Sequence, residues 1–288
     1  MPLFELDKSE ISALTDVELR ELVARLCEAE LAKAGMPRGA VRWSGSQTAP
    51  DGGLDVEVRR DGVKHSGDFL PTIPVGLQVK KPKMAAAKIQ EEMCPSGTLR
   101  DVISDLADEC GAYIIVSLDD DCASKPLADR KKAMLDAVTA LPNASQIKLE
   151  FYDRGQIANW LRAHPGVQLW AREKLGRPAT GWRPHGKWSS TPGGADDALI
   201  CEESLRITLP GKRSPDLPLV DGLNEVRQLV RDSRKAVRIV GLSGVGKSRF
   251  VQALFEEGVG ERPLDGSSVI YADLGDALDP TANDLVRQ

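Results

Sequence analysis

The sequence predicts an α/β fold most clearly in the stretch Val237-Arg-Ile-Val-Gly-Leu-Ser-Gly-Val-Gly-Lys-Ser-Arg-Phe-Val-Gln-Ala-Leu-Phe255. Its first apolar residues predict a strand over 236–240, and the spacing of Phe250, Val251 and Leu254 predicts a helix over 247–257. The eight residues between them match the pattern G-x-x-x-x-G-K-[ST]. A strand, a glycine-rich turn and a helix in this order are typical of α/β domains.

The glycine-rich turn predicts a phosphate-binding loop for ATP. Glycines allow backbone N–H groups to approach the phosphates, and the start of the following helix adds a positive dipole. Lys247 would reach the β- and γ-phosphates, and the Ser248 hydroxyl would bind Mg²⁺. A purely structural turn is the alternative. The predicted nucleotide-binding residues are Gly241, Ser243, Gly244, Val245, Gly246, Lys247, Ser248 and Arg249.

Nucleotide hydrolysis would also require an acidic residue at the end of another strand. The segment Val269-Ile-Tyr-Ala-Asp273 has the form of such a strand. A βαβ unit accounts for its position without a metal-binding role, so we interpret it as the next strand of the sheet. Because only a short segment follows Ser248, we expect the NTPase domain to be truncated at Gln288.

The sequence before this stretch predicts alternating strands and helices. The predicted helices cover residues 15–34, 99–109, 127–141, 156–163 and 223–231. The predicted strands cover residues 41–43, 54–59, 75–79, 112–117 and 147–152. The first three strands are separated by turn residues and predict a meander. The fold class is therefore α/β, with a mixed sheet flanked by helices.

Composition and length set the broad class. With 288 residues the chain is long enough for about two domains. Apolar residues make up 41% and the net charge is −5, which is typical of a globular protein that is not coated with nucleic acid. The five cysteines have neither metal-ligand nor disulfide-framework spacing. We expect a cytoplasmic protein with no membrane segment.

A second pattern places polar residues on two neighbouring predicted strands. Asp55 ends the segment Asp51-Gly-Gly-Leu-Asp55, and Gln78 and Lys80 lie on the next strand. Residues two apart share one face of a strand. Asp55 and Gln78 would bind Mg²⁺, and Lys80 would orient or activate a water molecule. A solvated edge strand is the alternative.

Glu30 is a further candidate for the catalytic site. Helical phasing places Glu30 on the same face as Leu19, Leu22 and Leu26. A carboxylate on an apolar face requires a role beside the metal, a structural partner, or exposure at the helix end. The sequence leaves these three interpretations open.

The segments Asp51-Gly-Gly-Leu-Asp55 and Leu77-Gln-Val-Lys80 resemble the Mrr-like branch of the PD-(D/E)xK nucleases, including its Gln-for-Glu variant. The wider layout, from Phe151-Tyr-Asp-Arg154 to the glycine-rich turn, resembles bacterial antiviral STAND NTPases, the Avs group. The resemblance implies a restriction-endonuclease-like effector over 1–175, a connector over 176–215, and the N-terminal part of a P-loop STAND domain over 216–288.

The resemblance also implies partners and an activity. The implied activity is cleavage of double-stranded DNA with Mg²⁺, and the implied nucleotide is ATP. The resemblance further implies that C-terminal repeats absent from this sequence recognise a phage protein, and that the activated protein is a homo-oligomer, a tetramer. The lysines at 80, 81, 83 and 88 would contact DNA phosphates, or are merely solvated. The alternative function is a nucleotide-gated signalling or scaffold protein whose N-terminal domain does not cleave.

Overall fold

The computed structural model describes residues 4–43, 53–60, 67–185, 205–209, 216–232, 237–256, 258–273, 275–281 and 283–284. The chain forms two compact units, one of Met1–Trp182 with Ala272–Gln288 and the other of Arg183–Tyr271. The division after Trp182 falls inside the segment 176–215 that the sequence predicts as a connector.

The helices and strands follow one another in an α/β order. The helices are α1 (Lys8–Ile11), α2 (Asp16–Lys33), α3 (Ala86–Met93), α4 (Asp101–Asp108), α5 (Ser124–Val138), α6 (Arg154–Arg162), α7 (Pro165–Lys174), α8 (Leu219–Asp232) and α9 (Lys247–Ala253). The strands are β1 (Val41–Trp43), β2 (Val56–Val58), β3 (Val75–Lys80), β4 (Ala112–Ser117), β5 (Lys148–Tyr152), β6 (Trp182–Pro184), β7 (Arg206–Ile207), β8 (Leu217–Pro218) and β9 (Ile270–Ala272).

A five-stranded sheet organises the first unit, in the order β1-β2-β3-β4-β5. The first two pairs are antiparallel and the last two are parallel. Short connections suit antiparallel neighbours, whereas parallel neighbours require a helical crossover, which α3 to α5 provide. The structure thus confirms an α/β fold with a mixed sheet flanked by helices.

The sheet buries a different apolar layer on each face. Leu77 and Val79 of β3 pack into a core shared with α1, α2, α6 and α7. Tyr113 and Ile115 of β4 pack into a second core with α3, α4 and α5. All six residues of β4 are buried. Covering a parallel strand on both faces explains why its sequence is an almost continuous apolar run.

The long helix α2 follows the predicted helix over 15–34 closely. Thr15 caps the N-terminus and forms a capping box with Glu18, whose carboxylate accepts hydrogen bonds from the Thr15 N–H and hydroxyl. Leu19, Leu22 and Leu26 are fully buried, as the apolar stripe predicts. The cap and the stripe together fix where the helix begins and which face packs on the sheet.

A buried carboxylate connects the segment after β3 to the end of β4. Asp120 accepts hydrogen bonds from the Met84 N–H at 2.7 Å and the Ser117 hydroxyl at 2.8 Å, and pairs with Arg130 at 2.5 Å. Burial tends to raise the pKa of this carboxyl, but these three partners lower it below its usual range. The contacts fix the chain immediately beyond the end of β3.

Several elements differ from the sequence prediction. The helices α1, α3 and α7 and the short strands β6, β7 and β8 were not predicted. Buried residues of the three helices, such as Ile11, Met93 and Ala171, belong to the two cores of the sheet, so tertiary packing stabilises these helices. The predicted strand over 236–240 is wrong: residues 237–240 form no ladder, and Val240 is 73% exposed. An apolar segment becomes a strand only when a neighbour satisfies its backbone groups. Residue 236 lies outside the described ranges.

The second unit packs α8 against α9. Leu223 and Phe250 lie in its apolar cluster. The Arg227 guanidinium is buried and donates to backbone carbonyls around the end of α9, including those of Leu254 at 2.9 Å and Ala253 at 2.7 Å. These bonds satisfy carbonyls that a helix end leaves without partners.

Within the described ranges, the structure contains no helix that combines the length and the apolar character required to cross a membrane.

Gly76 in β3 gives a test of the packing beside the candidate site. A Cβ at this position would lie 2.7 Å from Leu54 Cδ2 and 3.0 Å from Leu106 Cδ1. We expect Gly76→Ala to reduce the free energy of unfolding by about 1–3 kcal/mol, because the core would have to move. Urea denaturation followed by circular dichroism measures this difference.

Gly39→Ala is the control, since a Cβ there would meet nothing within 4 Å. We expect its stability to stay within about 0.5 kcal/mol of the wild type. Equal effects of the two substitutions would contradict the close approach at Gly76.

Candidate functional site

Asp55 lies where the ladder between β2 and β3 ends. Val56 and Leu77 are the last paired residues of that ladder. Asp55 comes immediately before β2, and its Oδ2 accepts a hydrogen bond from the Val79 N–H at 2.8 Å. Its Oδ1 lies 3.5 Å from Arg20 Nε on α2. The carboxylate is thereby fixed beside the segment that carries Gln78 and Lys80.

Gln78 faces the layer of α3, α4 and α5. Its neighbours Leu77 and Val79 point into the opposite core, and it lies next to Ile115 of β4. The side chain is 5% exposed, and Oε1 is buried without a hydrogen-bond partner among the described residues. A buried amide oxygen without a partner is costly, so a ligand that binds it would be stabilised.

Lys80 lies two residues beyond Gln78 and contacts α3. Its Nζ is 3.1 Å from Glu92 Oε2. The other oxygen of that carboxylate is 3.0 Å from Arg100 Nη2, and Arg100 Nε donates to the Glu92 carbonyl at 2.6 Å. One carboxylate thus pairs with two cations at the edge of the predicted metal site.

Tyr113 contributes a second buried polar group to the same region. It is fully buried, and its hydroxyl has no hydrogen-bond partner within the described part of the chain. Burial raises the pKa of this phenol, and the negative charges of Glu92 and Asp55 raise it further, against the opposing charge of Arg100. The hydroxyl therefore lies in the field of all three charged groups and stays protonated at neutral pH.

Glu30 is not brought to this site. Its Oε1 accepts hydrogen bonds from Trp160 Nε1 at 3.1 Å and lies 2.8 Å from His164 Nε2. Glu30 also lies about 15 Å farther along α2 than Arg20, the residue that reaches Asp55. Of the three interpretations that the sequence left open, the structure gives Glu30 a structural partner.

The glycine-rich turn has the backbone conformation that its sequence requires. Gly244 and Gly246 have φ of 80° and 81°, values that favour glycine, and α9 begins at Lys247. Lys247 Nζ donates to the carbonyls of Gly241 at 3.1 Å and Leu242 at 2.7 Å. The lysine is thus folded onto the loop that would surround a phosphate.

Other residues of the turn are placed as follows. Arg249 forms a bidentate pair with Glu256, at 2.5 and 2.7 Å. Val245 is 53% exposed. Asp273, the alternative acid, follows β9 and accepts a hydrogen bond from the Gly275 N–H at 2.9 Å. Such a bond is a local turn contact. The segment does form a strand, but within the described residues β9 pairs with β6 in a two-stranded sheet and not, as the βαβ interpretation predicted, with a strand immediately before the glycine-rich turn.

The residues at Asp55 and Gln78 fit a hard cation. They offer a carboxylate and a buried amide oxygen without a partner, both of which are oxygen ligands of the kind that Mg²⁺ takes. Among the described residues, no group of three or more His, Cys, Asp or Glu side chains is arranged to hold a metal. Asp51 and Gly52, which begin the motif, lie outside the described ranges.

The sequence prediction missed Arg20, Glu92, Arg100 and Tyr113. A signal for Glu92 was present, because Ile89 and Met93 are four residues apart and predict a short helix with Glu92 at its buried edge. No local pattern indicates Arg100, whose position depends on packing between α3 and the start of α4.

Three comparisons with known proteins found no match. Neither models of protein families, nor curated proteins, nor solved structures give a match.

The buried pair of Glu30 and His164 predicts a pH-dependent contribution to stability. Burial tends to raise the pKa of the Glu30 carboxyl, but attraction and hydrogen bonding from His164, the charge of Lys33 and the bond from Trp160 lower it below the usual 4.5. A lowered pKa stabilises the folded state above the unfolded value, and this stabilisation is lost as the pH falls through the folded value.

We expect Glu30→Gln to reduce the free energy of unfolding by about 1–3 kcal/mol at pH 7, with the difference shrinking below about pH 4.5. Urea denaturation across pH measures it. Glu28→Gln removes the same charge from the same helix and is expected to change stability little. A pH-independent difference between wild type and Glu30→Gln would contradict the charge-based explanation.

Proposed function

We propose that the first unit is a metal-dependent DNA endonuclease and that the chain couples it to an ATP-binding STAND module in antiphage defence. The observation that carries this proposal is that the Asp55 carboxylate bonds to the backbone of the strand segment that carries Gln78 and Lys80, at the end of the β2–β3 ladder. Asp55 is anchored by a backbone N–H, and the Gln78 oxygen is buried without a described partner. This combination supports a cation-binding site next to a lysine.

In this proposal each side chain has a distinct role. Asp55 and Gln78 would hold Mg²⁺, which when bound supplies a positive charge that polarises a phosphate. Lys80 donates hydrogen bonds to a non-bridging phosphate oxygen or to the attacking water. The buried surroundings of Gln78 exclude bulk solvent, which strengthens these interactions.

We propose that double-stranded DNA is the substrate of the site, because the cationic side chains around the site attract its phosphates. Lys83 and Lys88 are exposed beyond the end of β3, whereas Lys81 donates to the Leu14 carbonyl at 2.7 Å. Contacts from such lysines to phosphates are insensitive to base sequence. We therefore expect cleavage with little sequence preference.

A non-cleaving DNA- or partner-binding domain in a signalling or scaffold protein is the second candidate. The neutral Gln78 and the position of Arg20 Nε, 3.5 Å from Asp55 Oδ1, favour it. A guanidinium beside the carboxylate offsets the negative charge that a metal ion requires. Cleavage assays separate the two candidates.

The proposed ATP site consists of the glycine-rich turn from Gly241 to Arg249. Its positive-φ glycines and the start of α9 support the proposal. On ATP binding, Lys247 would exchange the carbonyls of Gly241 and Leu242 for phosphate oxygens. The activated assembly is proposed to be a homo-oligomer that responds to a phage protein.

We expect Lys80→Ala and Asp55→Asn to abolish DNA cleavage while the protein stays folded. The loss should reach about 100-fold or more, since both groups act on the reacting phosphate. The assay is degradation of plasmid DNA by the full-length protein with ATP and Mg²⁺ in lysate from phage-infected cells. Thermal unfolding of each variant checks the fold.

Lys125→Ala is the matched control, because it removes an exposed lysine charge at the start of α5 that has no role in the proposed site. We expect it to cleave within about threefold of the wild type. Intact plasmid with every variant, wild type included, would favour the signalling or scaffold candidate. Full cleavage by Lys80→Ala would refute the site.

We expect Lys247→Ala to lose ATP binding without unfolding the first unit. The substitution removes the ammonium that would contact the β- and γ-phosphates. Equilibrium dialysis with labelled ATP measures binding, and Arg238→Ala, which removes a nearby exposed cation, is the control. Equal affinity of wild type and Lys247→Ala for ATP would contradict the role of the loop.

A further inference from the structure

A single carboxylate holds two cations beside the candidate site. Glu92 bonds to Lys80 through one oxygen at 3.1 Å and to Arg100 through the other at 3.0 Å. The Glu92 side chain is 16% exposed, so part of its hydration has been replaced by these two contacts. Two donors converging on two oxygens are the arrangement by which proteins bind a phosphate group.

The backbone holds Arg100 independently of that carboxylate. Arg100 Nε donates to the Glu92 carbonyl at 2.6 Å, a bond that does not depend on the Glu92 side chain. Its guanidinium also lies against Gly53, where φ is +91° and an added Cβ would collide with it. Arg100 is therefore positioned to keep its place when the carboxylate moves away.

Two buried polar atoms near the pair also lack partners. The Tyr113 hydroxyl is fully buried, and Gln78 Oε1 belongs to a side chain that is 5% exposed; neither forms a hydrogen bond with a described residue. The Tyr113 hydroxyl can donate a hydrogen bond to an oxygen of a ligand. Neither Glu92 nor Asp55 accepts this hydrogen bond in the structure. A ligand that reaches either atom would satisfy a polar group that the described residues leave without a hydrogen-bond partner.

We propose that Lys80 and Arg100 form a binding site for a phosphate group of the nucleic-acid backbone, and that Glu92 occupies this site when nucleic acid is absent. The carboxylate competes with the phosphate for the same two cations. Arg100 becomes a binding residue for the substrate, and Glu92 becomes an internal competitor. This inference rests on the proposed function, since it names how the same site takes its substrate.

The competition has a measurable direction. Removing the charge of Glu92 frees both cations, so anion affinity should rise by about fivefold, as expected when the competent state becomes the main one. A positioning role for Glu92 predicts the opposite, because Lys80 and Arg100 would then lose their orientation and bind phosphate more weakly.

The first experiment measures inorganic phosphate binding by the full chain, through the rise of the unfolding temperature with phosphate concentration. Glu92→Gln is compared with wild type and with Glu91→Gln, which removes the same charge from the adjacent, exposed residue. We expect about fivefold tighter binding for Glu92→Gln only, and loss of that gain in Glu92→Gln/Arg100→Gln. Glu92→Ser provides a second variant if Glu92→Gln is poorly folded.

The second experiment measures binding of a labelled DNA duplex by fluorescence anisotropy with Ca²⁺ in place of Mg²⁺, alongside plasmid cleavage. Tighter phosphate and duplex binding by Glu92→Gln alone would support the inference. Equal behaviour of Glu92→Gln and Glu91→Gln, with cleavage by wild type intact, would overturn the inference and leave the nuclease proposal standing. Tighter phosphate binding without duplex binding or cleavage would support the anion site and overturn the nuclease proposal.

Discussion

The end of the β2–β3 ladder is the constraint on which the candidate site depends. The β2–β3 register ends at Val56 and Leu77, and the last backbone bond between the two segments runs from the Asp55 N–H to the Leu77 carbonyl at 3.0 Å. The next N–H of β3 on that edge, that of Val79, requires another acceptor. The Asp55 carboxylate supplies it at 2.8 Å. A hydrogen bond that extends the sheet therefore also fixes the acid of the candidate site.

Side chains from both helix layers form ion pairs around the end of the β2–β3 ladder. On one side, Arg20 of α2 bonds to Asp16 at 2.6 Å and approaches Asp55. On the other, Glu92 of α3 separates Lys80 from Arg100. The side chains of these pairs are mostly buried, so the cost of removing the charges from water offsets much of their attraction. The pairs therefore set the geometry and field of the candidate site more than they stabilise the fold.

In the second unit, the glycine-rich turn is exposed and its lysine bonds to the backbone of the same turn. Val240 and Leu242 around the turn are 73% and 80% exposed, and Lys247 bonds to carbonyls of its own loop. A lysine that is satisfied by backbone oxygens must exchange them for phosphate oxygens on binding. If the proposed ATP site is correct, the net gain from binding is smaller than the sum of the new contacts, because the existing bonds are lost.

The sequence by itself determined the α/β class, the helix α2 with its apolar stripe and the buried strand β4, because these depend on periods of two or 3.6 residues and on continuous apolar runs. Only the tertiary structure decided that Glu30 bonds to Trp160 and that Glu92 and Arg100 meet Lys80. Those contacts join distant segments through packing of helices on the sheet. The strand predicted over 236–240 is wrong for the same reason. An apolar run becomes a strand only where a neighbouring strand pairs with its backbone, and the sequence of the run does not supply that neighbour.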